Sequence, residues 1–264
     1  NDLEANASSE AKQWQVARQS EYDSIMKNNT WKLTDPPPGA RILGSKWLYK
    51  IKELNGKIRY KARLVAQGFS QRQGVDFSET YAPVANVHTI RLFLSFTASL
   101  DLEIVQFDVS TAFLNGTIKE EIYIKQPPGF EDGSTRVCRL IKGLYGLKQS
   151  PRAWNHRFNE LMLKIGLKRS SYDQCLYYHH HEGQLVMIVL YVDDGLIASS
   201  HPGLIDKIVS QLKSNFEITL GPVGKYVGLE ITRNRPKRLV YIRQPTYTAR
   251  KLTEFKMADS IPIS

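Results

Sequence analysis

Residues 46–64 fix one piece of structure almost by themselves. Lys46, Lys50 and Lys52 alternate with Trp47, Tyr49 and Ile51. After Asn55-Gly56 the alternation resumes, with Ile58, Tyr60, Ala62 and Leu64 set against Arg59, Lys61 and Arg63. A period of two is the period of a strand, whose successive side chains point to opposite faces. Asn-Gly between two such runs is the strongest short hairpin turn. The pattern therefore predicts a β-hairpin with one apolar face and one face of six cations. Like charges opposed across strands repel, and a bridging phosphate relieves that repulsion. A solvated edge ribbon carries lysines too, as protection against edge-to-edge pairing. The residues alone leave both readings open.

The whole chain shares the basic bias. Its 264 residues hold 36 Lys plus Arg against 26 Asp plus Glu, a formal net charge of +10. Such a surplus favours a polyanionic partner, of which nucleic acid is the commonest. With 42% hydrophobic residues the chain reads as globular rather than disordered. The two cysteines, Cys138 and Cys175, form no CxxC pair. A zinc ribbon, a redox motif and a disulfide scaffold are therefore all poorly supported, which fits a reducing compartment. Residues 1–12 lack an apolar signal core, and the longest apolar stretch, Leu185 to Val192, is too short to span a bilayer. The chain reads as a piece of a longer polypeptide, because Asp259 to Ser264 carries no stop of its own.

Trp14, Ala17, Tyr22 and Ile25 predict a helix over about residues 10–27. Asp35-Pro-Pro-Pro-Gly39 is a loop. Ile90, Phe93, Leu94, Thr97 and Ala98 follow the helical rule of an apolar stripe. Pro151 opens another helix, with Trp154, Phe158, Leu161, Met162 and Ile165 as its buried face and Gly166 near its end. Ile205, Ile208, Val209 and Leu212 mark the last clear one. Strands are predicted at 104–109, 122–124, 137–140, 176–178, 185–191, 196–198, 226–231 and 239–242. Helices and strands mix without a βαβ rhythm, so the predicted class is α+β with an antiparallel sheet.

The chemistry concentrates in three aspartates. Asp193 and Asp194 stand side by side between Leu190-Tyr-Val and Leu196-Ile197, in a predicted tight turn. A buried adjacent pair needs protons, cations or metal to neutralise it, although Asp is also an ordinary turn residue. Asp108 ends the apolar strand Ile104-Val-Gln-Phe-Asp-Val109, and Asp is depleted in strands. If that strand neighbours the Asp193-Asp194 hairpin, three hard oxygen donors converge. Such a set suits Mg²⁺ or Mn²⁺ rather than zinc and fits phosphoryl transfer through two ions roughly 3.5–4 Å apart. His179-His180-His181 is the rival metal site. Alternation on a strand cannot aim all three rings at one ion, so it reads as a solvated turn.

At this point the residues resemble a known family. Phe107-Asp-Val-Ser-Thr-Ala-Phe-Leu-Asn-Gly116 and Tyr191-Val-Asp-Asp194 are similar to the two metal-binding motifs of reverse transcriptases. Several further segments resemble the copia-type branch of long-terminal-repeat retrotransposons: Tyr60-Lys-Ala-Arg-Leu-Val-Ala-Gln-Gly68, Thr80-Tyr-Ala-Pro-Val84, Gln126-Pro-Pro-Gly-Phe130, Leu144-Tyr-Gly-Leu-Lys-Gln-Ser-Pro151 and Gly228-Leu-Glu230. The matches run in order from about Trp14 to Met257.

The resemblance implies a right-hand polymerase, with fingers at the basic hairpin, a palm of antiparallel sheet backed by helices, and a thumb largely absent. It implies an N-terminal helix and fingers over about 1–103, palm over 104–231 with an interleaved fingers or helical segment near 115–170, and a truncated palm-to-thumb connection over 232–264. By the same resemblance Asp108, Asp193 and Asp194 are the catalytic, metal-binding triad, with the Val109 carbonyl as an extra ligand for two Mg²⁺ or Mn²⁺ ions. Lys61 and Arg63 grip the incoming triphosphate, and Phe113 is the aromatic gate that would collide with a ribose 2′-hydroxyl. Gly146, Lys148 and Gln149 lie against the nucleotide. Pro151, Tyr191, Tyr226, Val227 and Gly228 face primer and template, although the family more often has Phe-Leu-Gly where this chain has Tyr226-Val-Gly228.

The implied partners are an RNA template, a DNA primer, dNTP and the protease, integrase and RNase H segments of a parent Pol polyprotein, with no membrane. The implied location is cytoplasmic, within virus-like particles, with nuclear presence open. Two other readings use the same residues: a non-catalytic nucleic-acid-binding remnant of such a polymerase, and a two-metal nuclease.

Overall fold

The computed structural model describes residues 2–54 and 56–260. The chain is mixed α+β and divides into two compact units, one formed by Asn1–Ala82 with Thr111–Leu161, the other by Pro83–Ser110 with Met162–Ser264.

In the first unit the predicted hairpin forms from strands Ser45–Leu54 and Lys57–Ala66, with Trp47 opposite Leu64, Tyr49 opposite Ala62 and Lys50 opposite Lys61. Asn55 of the predicted turn lies outside the described residues. The ribbon's apolar face is sealed only at its base. Trp47, Ala62 and Leu64 are buried in a core with Ile25, Trp31, Leu43 and Leu114, while Ile51 and Ile58, nearer the tip, remain exposed. Helix Ala11–Lys27 packs along the second strand, with Trp14 edge-on to Tyr49 and Tyr60 at ring-centroid distances of 5.1 and 4.7 Å. Trp47 donates its indole N–H to the Pro128 carbonyl at 2.9 Å. A four-stranded sheet completes the unit in the order Trp31–Thr34, Val137–Leu140, Tyr123–Ile124, Ile42–Leu43. Its last pair is parallel, a short exception to the expected antiparallel pairing.

The second unit is built on a six-stranded antiparallel sheet. Its order is Ile218–Gly221, Glu103–Val109, Asp194–Ser199, Gln184–Tyr191, Leu176–His181, Lys168–Arg169. Helix Val87–Ser99 packs on the sheet, and all five stripe residues read from the sequence are buried. Asn86 caps this helix by accepting from the His88 backbone N–H. Helix Pro202–Asn215 also packs against the sheet, through Ile205, Ile208, Val209 and Leu212. The centre of strand Gln184–Tyr191 is buried on both faces, which explains its unbroken apolar run.

Several expectations need correction. A short helix, Asp2–Ala7, precedes the first predicted one. Another, Pro245–Glu254, follows what read as the last clear one, and none of its residues is buried. The predicted strand 226–231 is interrupted. Lys225–Tyr226 and Leu229–Asn234 pair across Val227-Gly228, both at positive φ, so a two-residue turn replaces the middle of the strand. The three histidines lie not in a turn but in strand Leu176–His181, all exposed, and the turn is Glu182-Gly183.

Candidate functional site

The carboxylates sit at the end of two neighbouring strands. Asp194 is the register partner of Asp108, Gly195 of Phe107 and Leu196 of Gln106. On its other edge Asp108 is opposite Thr219. Side chains of directly opposed residues share a face, with Cβ atoms about 4.5–5.5 Å apart. Asp108 and Asp194 therefore face the same way. It is the face on which Val189 and Leu196 pack beneath Tyr226.

Two carboxylates so placed repel each other, and a cation between them removes the penalty. Asp193 lies one residue back, in the two-residue turn between Tyr191 and Asp194. The strand that carries Asp108 is thus the direct neighbour of the Asp193-Asp194 hairpin, the condition the sequence reading set for the carboxylates to converge. Among the described residues no three His, Cys, Asp or Glu side chains are gathered closely enough to cage a metal as they stand. The donors themselves are hard oxygens, the chemistry that Mg²⁺ and Mn²⁺ take.

The backbone holds this turn under strain. Val192 has φ +59°, a left-handed conformation that a β-branched residue adopts at a cost of about 1–2 kcal/mol. The Val109 N–H donates to the Asp193 carbonyl at 2.8 Å and fastens the turn to the Asp108 strand. Gly195 has no alternative: a Cβ there would lie 2.1 Å from Cζ of Phe107, whose ring is fully buried.

The residues expected to meet the nucleotide cluster within the first unit. The Arg63 guanidinium lies over the Tyr145 ring at 4.5 Å, and Phe113 is 4.7 Å from the same ring. Gly146, at φ +90°, lets the backbone pass so close to strand Lys57–Ala66 that a Cβ would meet the Ala66 carbonyl at 2.1 Å. The Ala66 N–H donates to the Tyr145 carbonyl at 2.8 Å across this contact. Lys148 is exposed, its ammonium 5.5 Å from the Phe77 ring centre. Pro151 is the second residue of helix Ser150–Lys164.

Two of the assigned residues are buried. Gln149 donates to the Asp76 carbonyl and accepts from Gln71, each at 3.0 Å, so its amide is bonded within the protein. Tyr226 is 0% exposed. Val227 and Gly228 do form an accessible turn beside it, and Tyr191 is partly exposed as the cross-strand partner of Asp194.

Tyr145 is not marked by the sequence, because aromatic stacking on Arg63 leaves no periodic signal. Glu21 is not marked either. This buried carboxyl on helix Ala11–Lys27 is pushed above the usual carboxylate range by burial, against the pull of Arg63 and Lys61.

The chain belongs to the reverse transcriptase (RNA-dependent DNA polymerase) family, in its copia-type branch; the family model matches residues 28–264. Among curated relatives it is 42% identical over 262 residues to the retrovirus-related Pol polyprotein from transposon TNT 1-94 of Nicotiana tabacum, covering 97% of this chain and 20% of that one. The corresponding polyprotein from transposon RE1 of Arabidopsis thaliana is 36% identical over 256 residues, covering 95% and 17%. The transposon Ty1-DR1 Gag-Pol polyprotein of Saccharomyces cerevisiae is 31% identical over 242 residues, covering 84% and 13%. The chain thus spans about a fifth or less of the length of these relatives. A solved structure of apo telomerase from Candida tropicalis, truncated from its C-terminal domain, aligns with a TM-score of 0.43 at 10% identity, over 86% of this chain and 60% of that one.

Proposed function

We propose that this chain is the fingers-and-palm core of an RNA-directed DNA polymerase, adding deoxynucleotides to a primer 3′-hydroxyl on an RNA template. The observation that carries the reading is the Asp108–Asp194 pairing on one sheet face, in a chain of the reverse transcriptase family. The six-stranded sheet is the palm, the cationic ribbon the fingers, and helix Pro245–Glu254 the approach to a thumb.

Asp108, Asp193 and Asp194 would hold two Mg²⁺ or Mn²⁺ ions, with the Val109 carbonyl as a further donor. Bound there, the ions lower the pKa of the attacking hydroxyl and neutralise charge on the leaving pyrophosphate. The strand pairing presents Asp108 and Asp194 together, so their separation is set before substrate arrives. Lys61 and Arg63 attract the triphosphate, and Tyr145 orients the Arg63 guanidinium by stacking. Phe113 excludes a 2′-hydroxyl. Lys148 and Pro151 with Tyr191 and the Val227-Gly228 turn meet template and primer. In the parent polyprotein this core works beside protease, integrase and RNase H segments, in cytoplasmic virus-like particles. Among the described residues no helix is long and apolar enough to cross a membrane.

Primer extension on RNA and DNA templates, with dNTP or rNTP and with Mg²⁺ or Mn²⁺, tests the reading. Metal-dependent incorporation of dNTP on RNA is the expected result. Salt-sensitive binding without incorporation would mark a non-catalytic remnant, and release of nucleotides from a labelled strand without dNTP would mark a nuclease.

A further inference from the structure

The turn at Val227-Gly228 is tied to both strands that carry the opposed carboxylates. From strand Glu103–Val109, Gln106 donates its side-chain N–H to the Lys225 carbonyl at 2.8 Å. Gln106 stands two residues before Asp108 and so shares its face. From the turn itself Tyr226 reaches back, its hydroxyl shared between the carbonyls of Val189 at 3.3 Å and Asp194 at 3.5 Å. Burial first, then the nearby Asp194 charge, pushes this phenol far above its usual range. Both links run from a side-chain donor to a main-chain oxygen, and neither consumes a carboxylate.

We infer that Gln106 and Tyr226 are positioning residues that couple the Val227-Gly228 turn to the Asp108–Asp194 pair, so that the group holding the primer end and the groups activating it move as one body. The inference deepens the polymerase reading and rests on it for its consequence, but the coupling is a property of the unliganded chain. Displacing the turn would shift the Asp194 carbonyl through Tyr226 and the Asp108 strand through Gln106. Tyr226 lies in the apolar core with Val189 and Leu196, so its ring gives a rigid lever rather than a flexible tether.

The test uses Tyr226→Phe, which keeps the ring and deletes the hydroxyl, and Gln106→Met, which keeps the length and deletes the donor. Amide hydrogen exchange is followed at residues 191–195 and 225–229 in the unliganded protein. Each variant is expected to speed exchange in both segments. Acceleration confined to the segment that carries the substitution, or none in either variant, would overturn the coupling. In primer extension each variant should lose about 10-fold in kcat with dNTP KM within about twofold, the size usual for groups that orient catalytic ligands. A merely structural role would lower the melting temperature and leave kcat per folded molecule unchanged, which also counts against the inference. Coupled exchange in a wild-type protein that extends no primer would sink the polymerase reading while leaving the coupling intact.

Discussion

Asp108 and Asp194 are direct cross-strand partners, two acids opposed on one face of the sheet. Asp194→Asn keeps the size and shape of the side chain, so it should separate stability from activity. The variant's stability is expected to lie within about 1 kcal/mol of wild type, the size of a cross-strand pair effect. Its kcat in primer extension should fall by about 1000-fold or more, since a metal ligand contributes several kcal/mol to the transition state. Paired urea melts and single-turnover extension check both halves; wild-type extension by the variant would remove the carboxylate from the mechanism.

Gly195→Ala should be costly although it adds one methyl. The new Cβ would fall 2.1 Å from the Phe107 ring, which is fully buried and has nowhere to turn. Overpacking of this kind costs about 1–3 kcal/mol. Chemical denaturation reads the loss, and a wild-type midpoint would mean that the two strands can part at little cost.

The turn at Glu182-Gly183 offers the opposite change. Glu182 holds φ +50° and Gly183 φ +76°, the double left-handed geometry that Asn-Gly fits best. Glu182 is exposed and belongs to none of the proposed contacts. Glu182→Asn should stabilise the protein by about 1 kcal/mol by relieving left-handed strain, with extension rates unchanged. A lowered thermal midpoint would contradict the turn geometry.

Stability should fall on the alkaline side. Burial pushes the thiols of Cys138 and Cys175, and the phenol of Tyr177, up to about 12 from ordinary values of 9.0 and 10.0. A group whose folded pKa is raised contributes stability that is fully present below its unfolded pKa and lost as pH rises toward the folded one. The loss should therefore begin near pH 9 and deepen toward pH 12. Urea melts between pH 7 and pH 11 would show it. For the same reason neither thiol should react with a disulfide reagent at pH 8 until the protein unfolds, and rapid labelling of the native chain would refute the burial.

The parts legible in the sequence are those in which one residue's neighbours along the chain determine its environment. The hairpin around residues 46–64 and the helix Val87–Ser99 were readable from periodicity, and the strand at Asp108 from its short apolar run. Face and depth are different properties. Alternation placed Ile51 and Ile58 on the apolar face but could not show that the ribbon outruns its core. Family likeness put Tyr226 and Gln149 among ligand-facing residues, whereas both are buried with their polar atoms bonded inside the protein. Helix Pro245–Glu254 buries none of its residues, so no core position marks it. Tyr145 and Glu21 gain their meaning from Arg63, which lies distant in sequence from both.

Where the segment at Gly146 meets strand Lys57–Ala66, main chain lies against main chain. Gly68 belongs to the same seam, since a Cβ there would fall 1.9 Å from the Gly146 carbonyl. Such a seam admits no gradual alteration: a single methyl at either position would wedge the two segments apart and swing Tyr145 and its Arg63 partner with them. Diversification of the proposed nucleotide grip must then proceed by exchanging the side chains mounted on that seam, while the two glycines stay as its hinge pins.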